Sequence, residues 1–184
     1  MVDHSRQLFE RLRGALAQIA DPQSLAISAG ATGLEADDRA PRVFVVASIS
    51  GGTGSGMALD LGYAVRGLLA ELGYADEGVY GILAHSTGRH PNEKKLAAAN
   101  ACACLNELGR YAGPGGYPGD PACGLPARKQ NTAPFHETYV VPLGEDLDAR
   151  EFEAATALLA EYLYLNTVTT AGAFFDKCRC PAQP

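Results

Sequence analysis

The sequence predicts an α/β chain built in three layers, a mostly parallel sheet with helices on both faces. Three observations carry that prediction. Val43, Phe44, Val45, Val46, Ala47 and Ile49 form a nearly continuous apolar run, the pattern of a parallel strand covered on both faces. Met57, Leu61, Ala64, Val65, Leu68 and Leu72 then recur at helical spacing up to Gly73, with Asp60, Arg66 and Glu71 on the opposite side. Val79 to Ala84 is a second apolar run. Strand, helix and strand in that order make one βαβ unit, whose parallel crossover is right-handed in nearly every case.

The other elements follow in order. Leu8, Phe9, Leu12, Ala15, Leu16 and Ile19 mark an amphipathic helix that closes at Asp21-Pro22, because proline continues a helix poorly. From about Ser28 to Pro41 the Gly, Thr, Asp and Pro content predicts a loop, with the first strand starting at Arg42. Pro91-Asn92 opens a third helix, with Asn92 as its candidate cap and Ala97, Ala101, Cys104, Leu105, Leu108 and Ala112 as its inner face. Between Gly113 and Pro134 the density of Gly and Pro predicts a flexible surface excursion. Thr138 to Val141 reads as a short third strand ending at Pro142. Asp148 with Glu151 three residues on is a capping-box pattern, and Phe152, Ala155, Leu159, Tyr162 and Leu163 line the helix it opens. β-Branched residues and glycine between Asn166 and Gly172 predict a break, with Phe174 and Phe175 as a last apolar anchor.

The length of 184 residues and a hydrophobic content of 47% suit one compact unit. A net charge of -6 argues against a nucleic-acid backbone binder, whose surface carries a basic excess. No stretch approaches the roughly 18 apolar residues of a membrane span and the amino end has no apolar signal core, so a cytoplasmic protein is expected. Five cysteines, Cys102, Cys104, Cys123, Cys178 and Cys180, give an odd count that reads as reduced thiols rather than a secreted disulfide framework. No metal site is assigned, since Cys102 and Cys104 point to different sides of a helix and Cys178-Arg179-Cys180 lacks the usual zinc spacing.

The chemistry concentrates in Ser50, Gly51, Gly52, Thr53, Gly54, Ser55 and Gly56, between the first strand and its helix. Glycines let successive backbone N–H groups turn toward one point, and the helix start adds partial positive charge, so the turn favours an anion, phosphate above all. A tight turn needing glycine for steric reasons alone is the plain alternative. A Walker site would end in Gly-Lys-Ser or Gly-Lys-Thr, and this loop has no lysine. A dinucleotide site would space its glycines differently and place an acid after the second strand, where Ala84-His85-Ser86 stands. Neither Ser50 nor Ser55 sits in a hydrolase elbow, and His85 and His90 have no placed partner. No residue is assigned a catalytic role. Glu145, Asp146 and Asp148 are explained by capping and solvation.

The segment Arg42 to Met57, with Glu161 to Asn166 and Ala171 to Asp176, resembles the tubulin and FtsZ superfamily and is most similar to the large bacterial tubulin-like proteins, over about residues 42–176. That resemblance implies a Rossmann-type GTPase fold and a GTP or GDP ligand whose phosphates lie on Gly51 to Gly56, with Mg²⁺ entering alongside the nucleotide. His85 and Ser86 fall on the same edge by position, and Asn100 and Asn166 are candidates for the guanine side. It further implies self-association or a tubulin-like partner in a cytoskeletal assembly. The chain departs from the pattern in three ways. Ser50 replaces a glycine, no earlier strand with a phosphate loop precedes Arg42, and the region that supplies the hydrolytic acid to a neighbouring subunit does not follow. The chain thus reads as a single partial nucleotide-binding domain over residues 1–184 that is inactive as a GTPase unless completed in an assembly. Two alternatives remain: a truncated scaffold that binds no nucleotide, and another phosphate-ligand enzyme sharing only the turn. On the phosphate reading, Gly54→Val is expected to abolish binding by blocking the approach of phosphate to the backbone.

Overall fold

The structure is a computed structural model that describes residues 4–33, 41–74 and 78–179. Helices α1 (Ser5–Ala20) and α2 (Pro22–Thr32) precede strand β1 (Val43–Ser48) and helix α3 (Gly52–Glu71). Strand β2 (Val79–Gly88), helix α4 (Pro91–Ala112), strand β3 (Glu137–Leu147), helix α5 (Ala149–Val168) and helix α6 (Gly172–Arg179) follow. The strands form one parallel sheet in the order β1-β2-β3.

Alternation along the strands assigns the layers. Val43, Val45 and Ala47 pair with Val79, Gly81 and Leu83, and this face carries the main core, where Leu59, Leu68 and Leu69 of α3 meet Ala101 and Cys104 of α4. Residues one step out of phase point the other way. There Ile82, Tyr139 and Val141 face Ala155, Leu159 and Tyr162 of α5 across an apolar cavity of about 410 Å³, while Phe44 stacks on Tyr80 with ring centres 5.1 Å apart. The predicted three-layer α/β fold with a parallel sheet is what the chain adopts.

Several boundaries differ from expectation. Asp21-Pro22 does end α1, but it also starts α2: Asp21 accepts a 2.8 Å hydrogen bond from the Ser24 amide and Pro22 takes the first helical position, where its missing N–H costs nothing. The loop expected from Ser28 therefore begins after Thr32, and residues 34–40 of it lie outside the described residues. Both later strands run past their predicted ends. β2 reaches Gly88 and β3 reaches Leu147, pairing Ser86 with Gly144 and Gly88 with Leu147 across two register shifts. Pro142 sits inside β3 opposite His85, which an edge strand tolerates because its outer side needs no N–H donor. The cap of α4 is His90, whose Nδ1 accepts from the Asn92 amide at 3.3 Å, rather than Asn92 itself.

The tract from Gly113 to Pro134 is irregular, as predicted, but it is packed rather than a loose excursion. Tyr117, Cys123 and Leu125 are buried with Tyr63 and Ala64 of α3, and Tyr117 stacks on Tyr63 at 4.0 Å. Two isolated bridges, Tyr117 with Arg128 and Asp120 with Leu125, fold it back on itself. The Tyr117 hydroxyl donates to Asp60 Oδ1 at 2.7 Å, pinning the tract to α3. Burial raises the Asp60 carboxyl above the ordinary carboxylate value, against the lowering effect of the Tyr117 hydroxyl, and the charge of Asp120 raises it further. Because the folded state holds the Asp60 proton more tightly than the unfolded one, this group's contribution to stability is complete below the ordinary carboxylate range and is lost as pH rises through the elevated value. Asp60→Asn keeps an acceptor for Tyr117 and cannot ionise. It is expected to flatten the fall in stability between acid and neutral pH, as read from urea midpoints across that range.

The capping box is formed as predicted: Asp148 accepts from the Glu151 amide at 2.9 Å and Glu151 accepts from the Asp148 amide at 2.8 Å. The predicted break falls at Thr169 to Ala171, between α5 and α6. Phe175 packs edge-on against Tyr162, whereas Phe174 is exposed. No helix among the described residues is long and apolar enough to cross a membrane.

Candidate functional site

In a parallel sheet every helix that follows a strand begins at the same edge, and here the starts of α3, α4 and α5 collect at the carboxyl ends of β1, β2 and β3. Two of the three are capped from within, α4 by His90 and α5 by Asp148. Helix α3 is not: its cap position is Gly51, which has no side chain to offer. The first closed bond of α3 runs from the Ser55 amide to the Gly51 carbonyl at 3.1 Å, so the amides of Gly52, Thr53 and Gly54 precede any intrahelical acceptor. These donors and the helix dipole aim at one place.

The glycines of the loop do different work. An added Cβ on Gly51, Gly52 or Gly56 would meet nothing within 4 Å, and Gly51, Gly52 and Thr53 are exposed. A Cβ on Gly54 would instead lie 2.0 Å from the Ser48 carbonyl oxygen. Gly54 is thus the point where α3 closes onto the end of β1, and the expected effect of Gly54→Val is corrected accordingly: the side chain collides with the protein before it can obstruct a ligand. Ser55 is buried and its hydroxyl turns back to the Gly52 carbonyl at 3.3 Å. Beside the loop a cavity of about 500 Å³ runs along β1, with Val46, Ser48, Met57 and Leu61 among its walls. β1 is the outer strand on that side among the described residues.

Ser50 joins the loop to the end of β2. Its hydroxyl oxygen lies 2.9 Å from the Ser86 amide, 2.8 Å from the Ser86 carbonyl and 3.0 Å from His85 Nδ1. Asn100 of α4 donates from Nδ2 to the Ser50 carbonyl at 2.9 Å. The fold therefore brings Ser50 to Gly56, His85, Ser86 and Asn100 together at one edge, with His85, Ser86 and Asn100 gripping the root of the loop. Asn166 is elsewhere. It is fully buried near the end of α5, its carbonyl accepts from Arg42 at 3.3 Å and its amide nitrogen lies 3.4 Å from the Tyr162 hydroxyl. Arg42 immediately precedes β1 and also pairs with Asp176 at 2.9 Å, so Asn166 sits at the amino edge of the sheet, a strand's length from the loop.

The acids after β3 serve the scaffold. Asp146 pairs with Lys94 of α4, and Arg89 bridges Asp148 and Glu151 at 3.2 and 3.1 Å. The Asp148 carboxyl is lowered first by its hydrogen bond from the Glu151 backbone, with smaller help from Arg89 and the Arg150 backbone. Among the described residues no three His, Cys, Asp or Glu side chains gather as metal ligands, and Cys102, Cys104, Cys123 and Cys178 are free thiols. Cys180 lies outside the described residues. Sequence reasoning missed the role of Ser50 as a three-way bracket, since nothing local signals it; only the register that sets β1 against β2 brings Ser50 to His85 and Ser86.

Compared with known proteins, the chain matches one family model, described as tubulin like, over residues 1–180. No curated protein and no solved structure matches it.

Proposed function

Because the chain belongs to the tubulin-like family, we propose that it binds a guanine nucleotide through its phosphates, held by the main-chain amides from Gly51 to Gly54. The observation that carries the reading is the uncapped start of α3, with open space over Gly51 and Gly52. A phosphate oxygen would take the place that a capping side chain fills in α4 and α5. Mg²⁺, when bound with the nucleotide, offsets the charge of the phosphate oxygens. The preference for guanine is drawn from the family, and Asn166 has no part in it. Family membership also supports self-association or a tubulin-like partner within a bacterial cytoskeletal assembly.

Calorimetry of the purified chain with GTP, ATP and NAD tests the reading. GTP-selective binding is the expected result; binding of none of the three supports a scaffold without nucleotide and overturns the proposal, and selectivity for another ligand reassigns the site. Gly51→Asp is the sharper probe. Gly51 already has the extended backbone of a cap residue, φ -102° and ψ 152°, so aspartate is expected to cap α3 and leave stability unchanged or raised by a few tenths of a kcal/mol to about 1 kcal/mol. Its carboxylate would occupy the anion position, so GTP binding should vanish while the urea midpoint holds or rises.

A further inference from the structure

A serine hydroxyl has one proton to donate and two lone pairs to accept with. At Ser50 three polar atoms lie within hydrogen-bond reach: the Ser86 N–H, the Ser86 carbonyl and His85 Nδ1. The N–H donates to the hydroxyl oxygen, which leaves one proton for two remaining neighbours. Were it given to His85 Nδ1, the hydroxyl oxygen and the Ser86 carbonyl oxygen would face each other at 2.8 Å with no proton between them, a repulsive contact of two acceptors. Given to the Ser86 carbonyl, it leaves Nδ1 as a donor to the second lone pair and every group is satisfied. We propose that His85 is held with its proton on Nδ1, and that Ser50, His85 and Asn100 together fix the glycine loop in its ligand-receiving form before any anion arrives.

The main chain supplies the link to the ligand. Asn100 draws the Ser50 carbonyl toward α4. In a trans peptide the following N–H points the opposite way, so the Gly51 amide is turned from α4. Ser50 stands where related loops carry glycine, and a serine bonded on both its side chain and its carbonyl has far less freedom to lose than a glycine. His85 is a positioning residue here: it acts through Ser50 rather than on the ligand. The consequence for affinity rests on the phosphate reading above; the tautomer and the rigidity of the loop do not.

The experiment is nitrogen-15 NMR on the ligand-free chain in mildly alkaline solution, where a neutral imidazole carries one proton. The expected result is a His85 ring protonated at Nδ1, with loop order parameters at residues 50–53 close to the rigid value of about 0.85. In Ser50→Ala the ring should revert to the Nε2-protonated form and the loop order parameters should fall toward about 0.6, with Ser50→Thr restoring both. A wild-type His85 protonated at Nε2, or a loop equally rigid in Ser50→Ala, overturns the inference. Calorimetry adds the ligand arm: GTP should bind about tenfold more weakly to Ser50→Ala, which corresponds to about 1.4 kcal/mol. If the wild type binds no nucleotide while its ring and loop behave as expected, the phosphate reading fails and this one stands.

Discussion

Gly54→Ala should cost about 3 kcal/mol or more of folding stability, at or beyond the upper end of the usual penalty for overpacking. The new methyl carbon would lie 2.0 Å from the Ser48 carbonyl oxygen, 3.0 Å from its carbon and 3.2 Å from its nitrogen. All three atoms are backbone, so no side chain can swing aside. Relief requires α3 to lift from β1, which opens the packing of Ala58 and Leu59 against the sheet. Urea unfolding of the variant measures the loss, and a midpoint within error of wild type would show that the loop does not close as described. The contrast with Gly51→Asp is the informative part: Gly54→Ala should fail by unfolding, whereas on the proposed phosphate reading Gly51→Asp should lose nucleotide binding while the fold holds. Loss of nucleotide binding in Gly54→Val would therefore say little about phosphate, because the protein is damaged first.

Phe135→Ala should cost about 3–5 kcal/mol, the range for emptying a buried phenyl site. Phe135 is 2% exposed and its ring lies between two glycines. An added Cβ on Gly81 of β2 would come within 2.5 Å of the ring, and one on Gly62 of α3 within 2.6 Å. Both glycines are small because the ring is there, so neither side can fill the hole once it is gone. Against a total of about 5–15 kcal/mol for a domain, the variant should melt far earlier than wild type. A loss below about 1 kcal/mol in urea unfolding would mean that the ring is not wedged between sheet and helix.

The parts legible in the sequence share a short physical range. The apolar run of β1 and the helical stripe of α3 were readable although only Val45 of β1 is buried, Val46 being exposed rather than covered on both faces as expected. The capping box needed only Asp148 and Glu151 three residues apart. The glycine loop was readable because the demand for bare backbone acts at each position separately. Helix α2 was not, since it buries no residue and shows no stripe to find. The extensions of β2 and β3 are likewise invisible alone. Ser86, Gly88 and Gly144 become strand residues because a neighbour pairs with them, and the tract after α4 is ordered by contacts with α3 that lie about 60 residues away in the chain, such as Tyr117 to Asp60.

From the sequence by itself came the layered α/β class, the strand–loop–helix unit, its glycine loop and the family resemblance, because each depends on residue type at a local spacing. Tertiary structure alone decided which glycine is open and which is a packing contact, that Asn100 holds the loop while Asn166 lies at the far edge, and that Ser50 is bracketed by His85 and Ser86. Those outcomes depend on strand register and helix approach, which arise from many weak contacts summed over distant segments and leave no mark at any one position.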